Sequence, residues 1–392
     1  MKKPTLLYAS PFPPMKSGIS EYSEELIFRL IKFFDISILI EDYKLENKEI
    51  KKKFKILVYG KDKFDFNDFD YKIYNIGNNP FFHGYIYECA LKYPGLVILH
   101  DFVLYFLFIG INQNKDDFYK KIYKYGGAEF YFYYKEMLKK NIDLLTFKKP
   151  ELFPFNGEIL LSENKIMVHS FYNLSKVQQI SSKICVKKIN AFTYDNSEKF
   201  SRKENSYLKE KFGISEEKKI ITSFGFVAHT KLNHIVCEIL LENEEKFKDF
   251  VYVMVGEGDY VDNYVNNKNI LKTGYVDIKT MNQFISLSDI VINLRYPSMG
   301  ETSAALIRVL SEGKACIVCD DAWFSELPDD VVIKVDINNI KNELLDNIIK
   351  LTNNKNLIFK YETNAKKYIK ENYDINIVCQ QIKDFLIVEE ND

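Results

Sequence analysis

The sequence predicts an α/β protein made of two Rossmann-like halves in series. Short apolar runs alternate with amphipathic helical stretches from residue 5 to 189, the alternation restarts at 220, and a polar, weakly periodic stretch over 190–205 separates the two series. Strands that alternate with helices form a parallel sheet, and the ligand crevice of such a sheet lies at the carboxyl ends of its strands. A chain of 392 residues also exceeds the usual size of a single core, so two domains are expected.

The first series opens with an apolar strand over Thr5–Ala9. After the loop 10–17, Gly18-Ile19-Ser20-Glu21-Tyr22-Ser23 begins a helix that turns Leu26, Ile27, Leu30 and Ile31 inward. Strands are then predicted over 36–40, 72–76 and 96–99, the last running into His100-Asp101, and over 166–168 and 186–189. Gly18 and His100 therefore both fall at strand carboxyl ends. The region 102–154 differs. It mixes Tyr and Phe with Lys115, Lys120, Lys121, Lys124, Lys135, Lys139 and Lys140 and reads as mainly helical. Its aromatics suit an acceptor groove or a face resting on a membrane; the alternative is extra helices packed on the first domain with their lysines in solvent.

The second series has predicted strands over 220–225, 251–255, 290–294 and 315–318, the second of them ending in Gly256-Glu257-Gly258. Helices over 340–388 cover this half, and the last of them returns to the first. The expected domains are 1–195, 196–372 and a C-terminal helical segment 373–392. Within this half, Asn293 to Gly313 reads as a strand end, a polar turn and a helix. Thr302 or Ser303 caps that helix, Leu306, Val309 and Leu310 form its apolar face, and Gly313 ends it. A helix start just beyond a strand offers N–H groups and a positive dipole end to a phosphate, and Arg295 adds a bidentate donor. Lys231, in Ser223-Phe224-Gly225-Phe226-Val227-Ala228-His229-Thr230-Lys231, occupies a second loop after a strand, where it reaches an anion or stands solvated.

Composition and motifs exclude several classes. With 54 basic and 55 acidic residues the net charge is −1, which gives no global attraction to nucleic acid or to an anionic bilayer. The apolar run near the N-terminus is too short for a signal-peptide core, and no segment reaches the ~18 apolar residues that span a bilayer. A cytoplasmic protein is expected, at most peripheral at the inner face of a membrane. Six scattered cysteines fit a reducing compartment, and Cys316-Ile317-Val318-Cys319 lies in an apolar strand-like run, so buried thiols are expected there. There is no GxGxxG after a strand, no P-loop, no HExxH and no GxSxG, and the five histidines lack metal-ligand spacing.

The segments PFPPMKSGISEYS, SFGFVAHTK, VMVGEGDY, TGYVD and LRYPSMGETSAALIRVLSEGKACIVCDDAWFSELPDDV, in this order, resemble the retaining nucleotide-sugar glycosyltransferases of the GT-B fold, the group called glycosyltransferase family 4. The likeness is strongest from Ser223 to Val335 and weakest over 102–154. It implies an N-terminal acceptor domain, a C-terminal donor domain and a cleft between them. By the same resemblance Gly18 lies at the donor phosphates, His100 near the transferred sugar, Lys231 on the diphosphate, and Glu301, Thr302 and Ser303 around sugar and phosphate; Gly300 and Arg295 join this set from the reading of the turn itself. Two positions depart from the family pattern. Phe226 stands where an arginine is common, and Arg295 is expected to supply that charge. Arg308 stands where the second of two glutamates is common, and Glu301 lies one place after the first, so Glu301 is expected to take over sugar recognition.

The resulting expectation is a retaining transfer of a sugar from a nucleoside-diphosphate donor to a glycan or lipid-linked acceptor. His100 and Glu301 act on the sugar, no metal or other cofactor is required, and no nucleic acid takes part. A peripheral membrane contact through 102–154 stays open. The alternatives are a catalytically silent GT-B-like binding module and a sugar-nucleotide epimerase of the same fold.

Overall fold

The apolar runs of the first series fold into a seven-stranded, all-parallel sheet. The computed structural model describes residues 2–193 and 198–387. The chain passes through β1 (Thr5–Ala9), α1 (Gly18–Leu30), β2 (Asp35–Ile40), α2 (Lys48–Lys53), β3 (Lys55–Val58), β4 (Tyr71–Ile76), α3 (Pro80–Lys92) and β5 (Leu96–Leu99). It continues through α4 (Tyr105–Asn112), α5 (Phe118–Lys139), α6 (Gly157–Leu160), β6 (Lys165–Val168), α7 (Phe171–Ile180) and β7 (Val186–Lys188). The strand order is β3-β2-β1-β4-β5-β6-β7, so the direction of winding reverses between β1 and β4. Leu6, Leu7, Tyr8 and Ala9 are fully buried, as expected of a strand covered on both faces.

The second series builds its own parallel sheet. Its elements are α8 (Arg202–Lys211), β8 (Lys219–Phe224), α9 (Asn233–Glu242), β9 (Phe250–Val255), β10 (Ile270–Lys272), α10 (Ile278–Leu287) and β11 (Ile290–Ile292). They are followed by α11 (Ala304–Ser311), β12 (Cys316–Cys319), α12 (Ala322–Ser325), β13 (Ile333–Val335), α13 (Ile340–Asn353), α14 (Lys355–Asn372) and α15 (Ile375–Ile387). The order is β10-β9-β8-β11-β12-β13, and here the winding reverses between β8 and β11.

Two compact units result. One holds 2–191, the turn 299–302 and the described part of the chain from Ile375; the other holds the remaining described residues. Within the first unit α15 packs on α1, and Lys32 Nζ donates to Asn376 Oδ1 at 3.3 Å. The expected boundary at 195/196 lies outside the described residues, as does Val388.

Several expectations need correction. β3, β10 and β13 are absent from the sequence reading, because runs of three or four residues at or near a sheet edge carry too little periodicity to stand out. The stretch 190–205 is not all linker. Ser201 caps α8 and forms a reciprocal capping box with Glu204, a signal present in the sequence as S-x-x-E. The region 102–154 is helical, with a kink at Gly127 (φ 72°) inside α5. Phe102, Tyr105, Phe108, Phe118, Phe130 and Phe153 of this region are core: Phe108 stacks on Phe155 at 4.6 Å, and Phe130 meets Phe155 at 4.7 Å. Lys121 is not a solvent lysine, since it pairs with Glu158 at 2.9 Å and donates to Asn112 Oδ1 at 3.1 Å. Among the described residues no helix is long and apolar enough to cross a membrane.

Gly256-Glu257-Gly258 has a packing origin. A Cβ on Gly256 would overlap the Gly225 carbonyl oxygen, and Val227 N–H donates to Glu257 O at 2.7 Å. The two loops leaving β8 and β9 therefore touch backbone to backbone, which requires glycine at that position.

Candidate functional site

The cationic residues gather where the second sheet reverses. The loop leaving β8 carries Gly225 to Lys231, and the loop leaving β11 carries Asn293 to Ser298. Because β8 and β11 are neighbours whose crossovers go to opposite sides, their carboxyl ends flank an open crevice. The loops are tied together: Arg295 Nη1 donates to Thr230 Oγ1 at 2.8 Å, and Tyr296 N–H to Thr230 O at 2.8 Å. Lys231 is 9% exposed. Its Nζ lies 3.7 Å from the place a Cβ on Gly225 would take, so the ammonium sits over the glycine at the strand end. The reading of Lys231 as a solvated loop lysine is thereby corrected. Phe226 is 63% exposed, while Arg295 sits beside the Lys231 turn.

α11 starts from the same crevice. Ser303 is its N-cap: Oγ accepts from Leu306 N–H at 3.1 Å and lies 3.5 Å from Asn293 Nδ2. The Ser303 hydroxyl proton is left to donate outward, alongside the first-turn N–H groups that no preceding carbonyl can satisfy. Leu306, Val309 and Leu310 are buried as expected, each worth roughly 1.5–3 kcal/mol of apolar burial. Arg308 is buried too, at 5% exposure, so the residue at the family's second glutamate position is an interior side chain of the second unit.

The turn 299–302 is grouped with the first unit. Gly300 has φ +83°, and a Cβ there would lie 2.6 Å from Asn173 Oδ1 and collide with Phe102. Its glycine is thus required by backbone conformation and close approach. Asn173 Nδ2 donates to Gly300 O at 2.6 Å, and Val103 N–H to Met299 O at 2.9 Å. Glu301 folds back, with Oε2 accepting from Met299 N–H at 2.7 Å. Thr302 is half-buried beside the cap.

Gly18 and His100 belong to loops of the first sheet that converge. Gly18 is exposed, and a Cβ on it would meet nothing within 4 Å, so no contact among the described residues demands glycine there. A Cβ on Gly77, just after β4, would touch Ile19 and would lie 3.2 Å from Asp101 Oδ2. The residues next to Gly18 and His100 therefore meet around Gly77, at the point where this sheet reverses.

The state of His100 follows from its partners. Asn75 Nδ2 faces Ala9 O at 3.4 Å, and a carbonyl only accepts, so Asn75 Oδ1 is the atom 3.0 Å from His100 Nε2. Nε2 then carries the proton and Nδ1 the lone pair. Burial, and after it the neighbouring His169 and His83, hold the His100 pKa well below the ordinary histidine value, which keeps the ring neutral. Tyr22 packs edge-on at 4.8 Å and His169 at 5.3 Å. Asn75, Tyr22, Thr230 and His169 are site residues that the sequence expectations do not include. Position after a strand is the one sequence signal that pointed to His169.

Comparison with known proteins agrees with this architecture. No family model matches the chain. An uncharacterized glycosyltransferase, MJ1069, of Methanocaldococcus jannaschii is 32% identical over 135 residues, which are 32% of this chain and 33% of that protein. The match thus spans about a third of the relative's length. Among solved structures, Anabaena HepE in complex with UDP and glucose superposes with a TM-score of 0.68 at 12% identity, over 98% of this chain and 99% of that one. The sucrose-phosphate synthase of Thermosynechococcus elongatus gives 0.67 at 10% identity over 97% and 98%. WaaG, a glycosyltransferase involved in lipopolysaccharide biosynthesis, gives 0.65 at 12% identity over 98% and 100%. With its two parallel sheets of seven and six strands, this chain has the fold of the GT-B glycosyltransferases.

Proposed function

We propose that this protein is a glycosyltransferase that moves a sugar, with retention, from a nucleoside-diphosphate donor to a glycan or lipid-linked acceptor. The observation that carries the proposal is the buried Lys231 ammonium over Gly225, beside Arg295, at the reversal point of the second sheet. Two cations and a helix start aimed at one crevice suit a diphosphate and stabilise it as it departs. These groups supply the charge that a divalent metal would otherwise bring, so we read the reaction as metal-independent. HepE, which shares the fold, was crystallised with UDP-glucose, in keeping with such a donor.

On this reading the sugar meets His100 and Glu301, and the phosphates also meet Gly18. Gly18 lets backbone approach phosphate oxygens closely, and neutral His100 accepts a hydrogen bond from a sugar hydroxyl at Nδ1. Glu301, turned back onto Met299 N–H, presents a carboxylate to further hydroxyls. The protein's contribution is positioning and charge stabilisation, and no side chain is assigned as a covalent nucleophile.

A thermal-shift screen with UDP-, GDP- and ADP-sugars tests the proposal, followed by product analysis with and without acceptor. A silent module binds without turnover, and an epimerase alters the sugar with no acceptor present. Glu301→Gln is expected to lower turnover at least tenfold with an unchanged melting temperature. A variant with full turnover assigns Glu301 to structure alone.

A membrane-borne acceptor is favoured by one feature of α5. Tyr119, Tyr123, Phe132 and Tyr133 are exposed, and Lys120, Lys124 and Lys135 lie exposed among them. Aromatics interleaved with cations suit an anionic interface. Co-sedimentation with anionic vesicles is expected at low salt and lost at high salt. Lys120→Glu/Lys124→Glu/Lys135→Glu should abolish it without changing donor affinity; Lys121 is excluded because it is paired inside the fold. No sedimentation at low salt points to a soluble acceptor.

A further inference from the structure

His169 stands at the end of β6, and its imidazole is 3% exposed. Its Nδ1 lies 2.9 Å from Ile189 O. A carbonyl can only accept, so Nδ1 carries the proton and Nε2 is left with a lone pair. That Nε2 is buried and has no hydrogen-bond partner among the described residues. A buried acceptor left unpaired costs about 1–3 kcal/mol, and the Nδ1–H bond to Ile189 O alone does not require one on the other side of the ring. Such groups in folded proteins call for an explanation, a functional role being one. Burial also draws the His169 pKa down to about 4, so the ring is neutral and its lone pair is present near neutral pH.

The surroundings indicate what the lone pair is for. His169 lies 5.3 Å from the His100 ring and 5.4 Å from Tyr22, centroid to centroid. His100 itself presents a lone pair at Nδ1, because its Nε2–H is committed to Asn75. A third acceptor comes from the first turn of α7. Asn173 Nδ2 is used on Gly300 O, and its buried Oδ1 has no partner among the described residues. Three acceptors at this edge of the first sheet repel a phosphate, which is itself an acceptor. They match a polyhydroxylated ligand, each of whose hydroxyls can donate.

We propose that His169 is a second sugar-recognition residue beside His100, with its Nε2 accepting a hydrogen bond from a hydroxyl of the transferred sugar. The inference rests on the glycosyltransferase reading above and deepens it. Nε2 is buried, so the side chains packed around it, Tyr22 among them, shift when the sugar enters.

Two substitutions separate the ring nitrogens. The amide of His169→Asn replaces Nδ1 and keeps the bond to Ile189 O while deleting Nε2; the carbonyl of His169→Gln replaces Nε2. Calorimetry compares UDP-glucose, UDP-N-acetylglucosamine, GDP-mannose and ADP-glucose, each against its parent nucleoside diphosphate. The wild type should bind one of them more tightly than the parent, and His169→Asn should reduce that increment about three- to tenfold. Affinity for the nucleoside diphosphate should not change, and His169→Gln should recover part of the loss. In the wild type, the His169 Nε2 ¹⁵N resonance should move on saturation with the nucleotide sugar and stay in place with the nucleoside diphosphate. This readout stands even if a variant fails to fold. An intact increment in His169→Asn, equal weakening of both ligands, or an unmoved resonance overturns the proposal. A wild type that binds no member of the set overturns the glycosyltransferase reading itself, and this inference with it.

Discussion

Acidification from about pH 7.5 to about pH 4.5 is expected to lower the melting temperature steeply, with most of the loss between pH 6.5 and 4.5. His83 and His169 are 1% and 3% exposed, and burial draws each pKa from 6.5 to about 4. The His83 ring is fixed by Asn75 O at 3.0 Å from Nδ1. In the folded protein both rings stay neutral down to about pH 4, whereas in the unfolded chain they take up a proton below about 6.5. The unfolded state therefore binds more protons throughout this window, so stability is full above pH 6.5 and is lost as pH falls towards 4. At about 1.4 kcal/mol per unit, each ring accounts for on the order of 3 kcal/mol. His100, also held well below its ordinary value, adds in the same direction. Melting temperature measured against pH, for the parent and for His83→Asn and His169→Asn, checks this. Each variant should flatten the profile, and a parent profile that is flat from 6.5 to 4.5 refutes the neutral-histidine account.

Replacing Lys231 by Ala or Met, or Arg295 by Ala, is expected to weaken nucleoside-diphosphate binding by roughly one to two decades each. A charge-assisted hydrogen bond contributes about 1.5–3 kcal/mol. Lys231 should show the larger loss, because its ammonium is mostly withdrawn from water at 9% exposure and its field is weakly screened. Arg295 is half-buried and divides its donors with Thr230. Binding of the bare nucleoside should change little. Lys231→Met keeps most of the side-chain volume, so a loss shared by Met and Ala reports charge, while a loss confined to Ala reports packing. Calorimetric titration of the matched nucleoside and nucleoside diphosphate decides it, and two variants that bind the diphosphate like the parent place the donor elsewhere.

The sequence by itself determined the two parallel sheets, because a strand covered on both faces must be apolar throughout and a helix between strands must show one apolar face. β1, β5, β9 and α11 were legible for this reason. It also placed the helix start at Thr302 or Ser303, since an N-cap acts within a few residues of itself, and the structure selects Ser303. β3, β10 and β13 were not legible, because runs of three or four residues carry almost no period. Only the tertiary structure decided the site. Lys231 is buried because β8 lies beside β11, which brings Thr230 to Arg295 across 65 residues of sequence. His100 is neutral and tautomerically fixed because β4 lies beside β5, which brings Asn75 to it across 25 residues. His169 joins that cluster through β6, and its unpaired nitrogen depends on a carbonyl 20 residues further on. Apolar pattern and capping are local energies that a sequence window contains. The protonation state and burial of a polar group depend on strand order, which brings together residues no window holds.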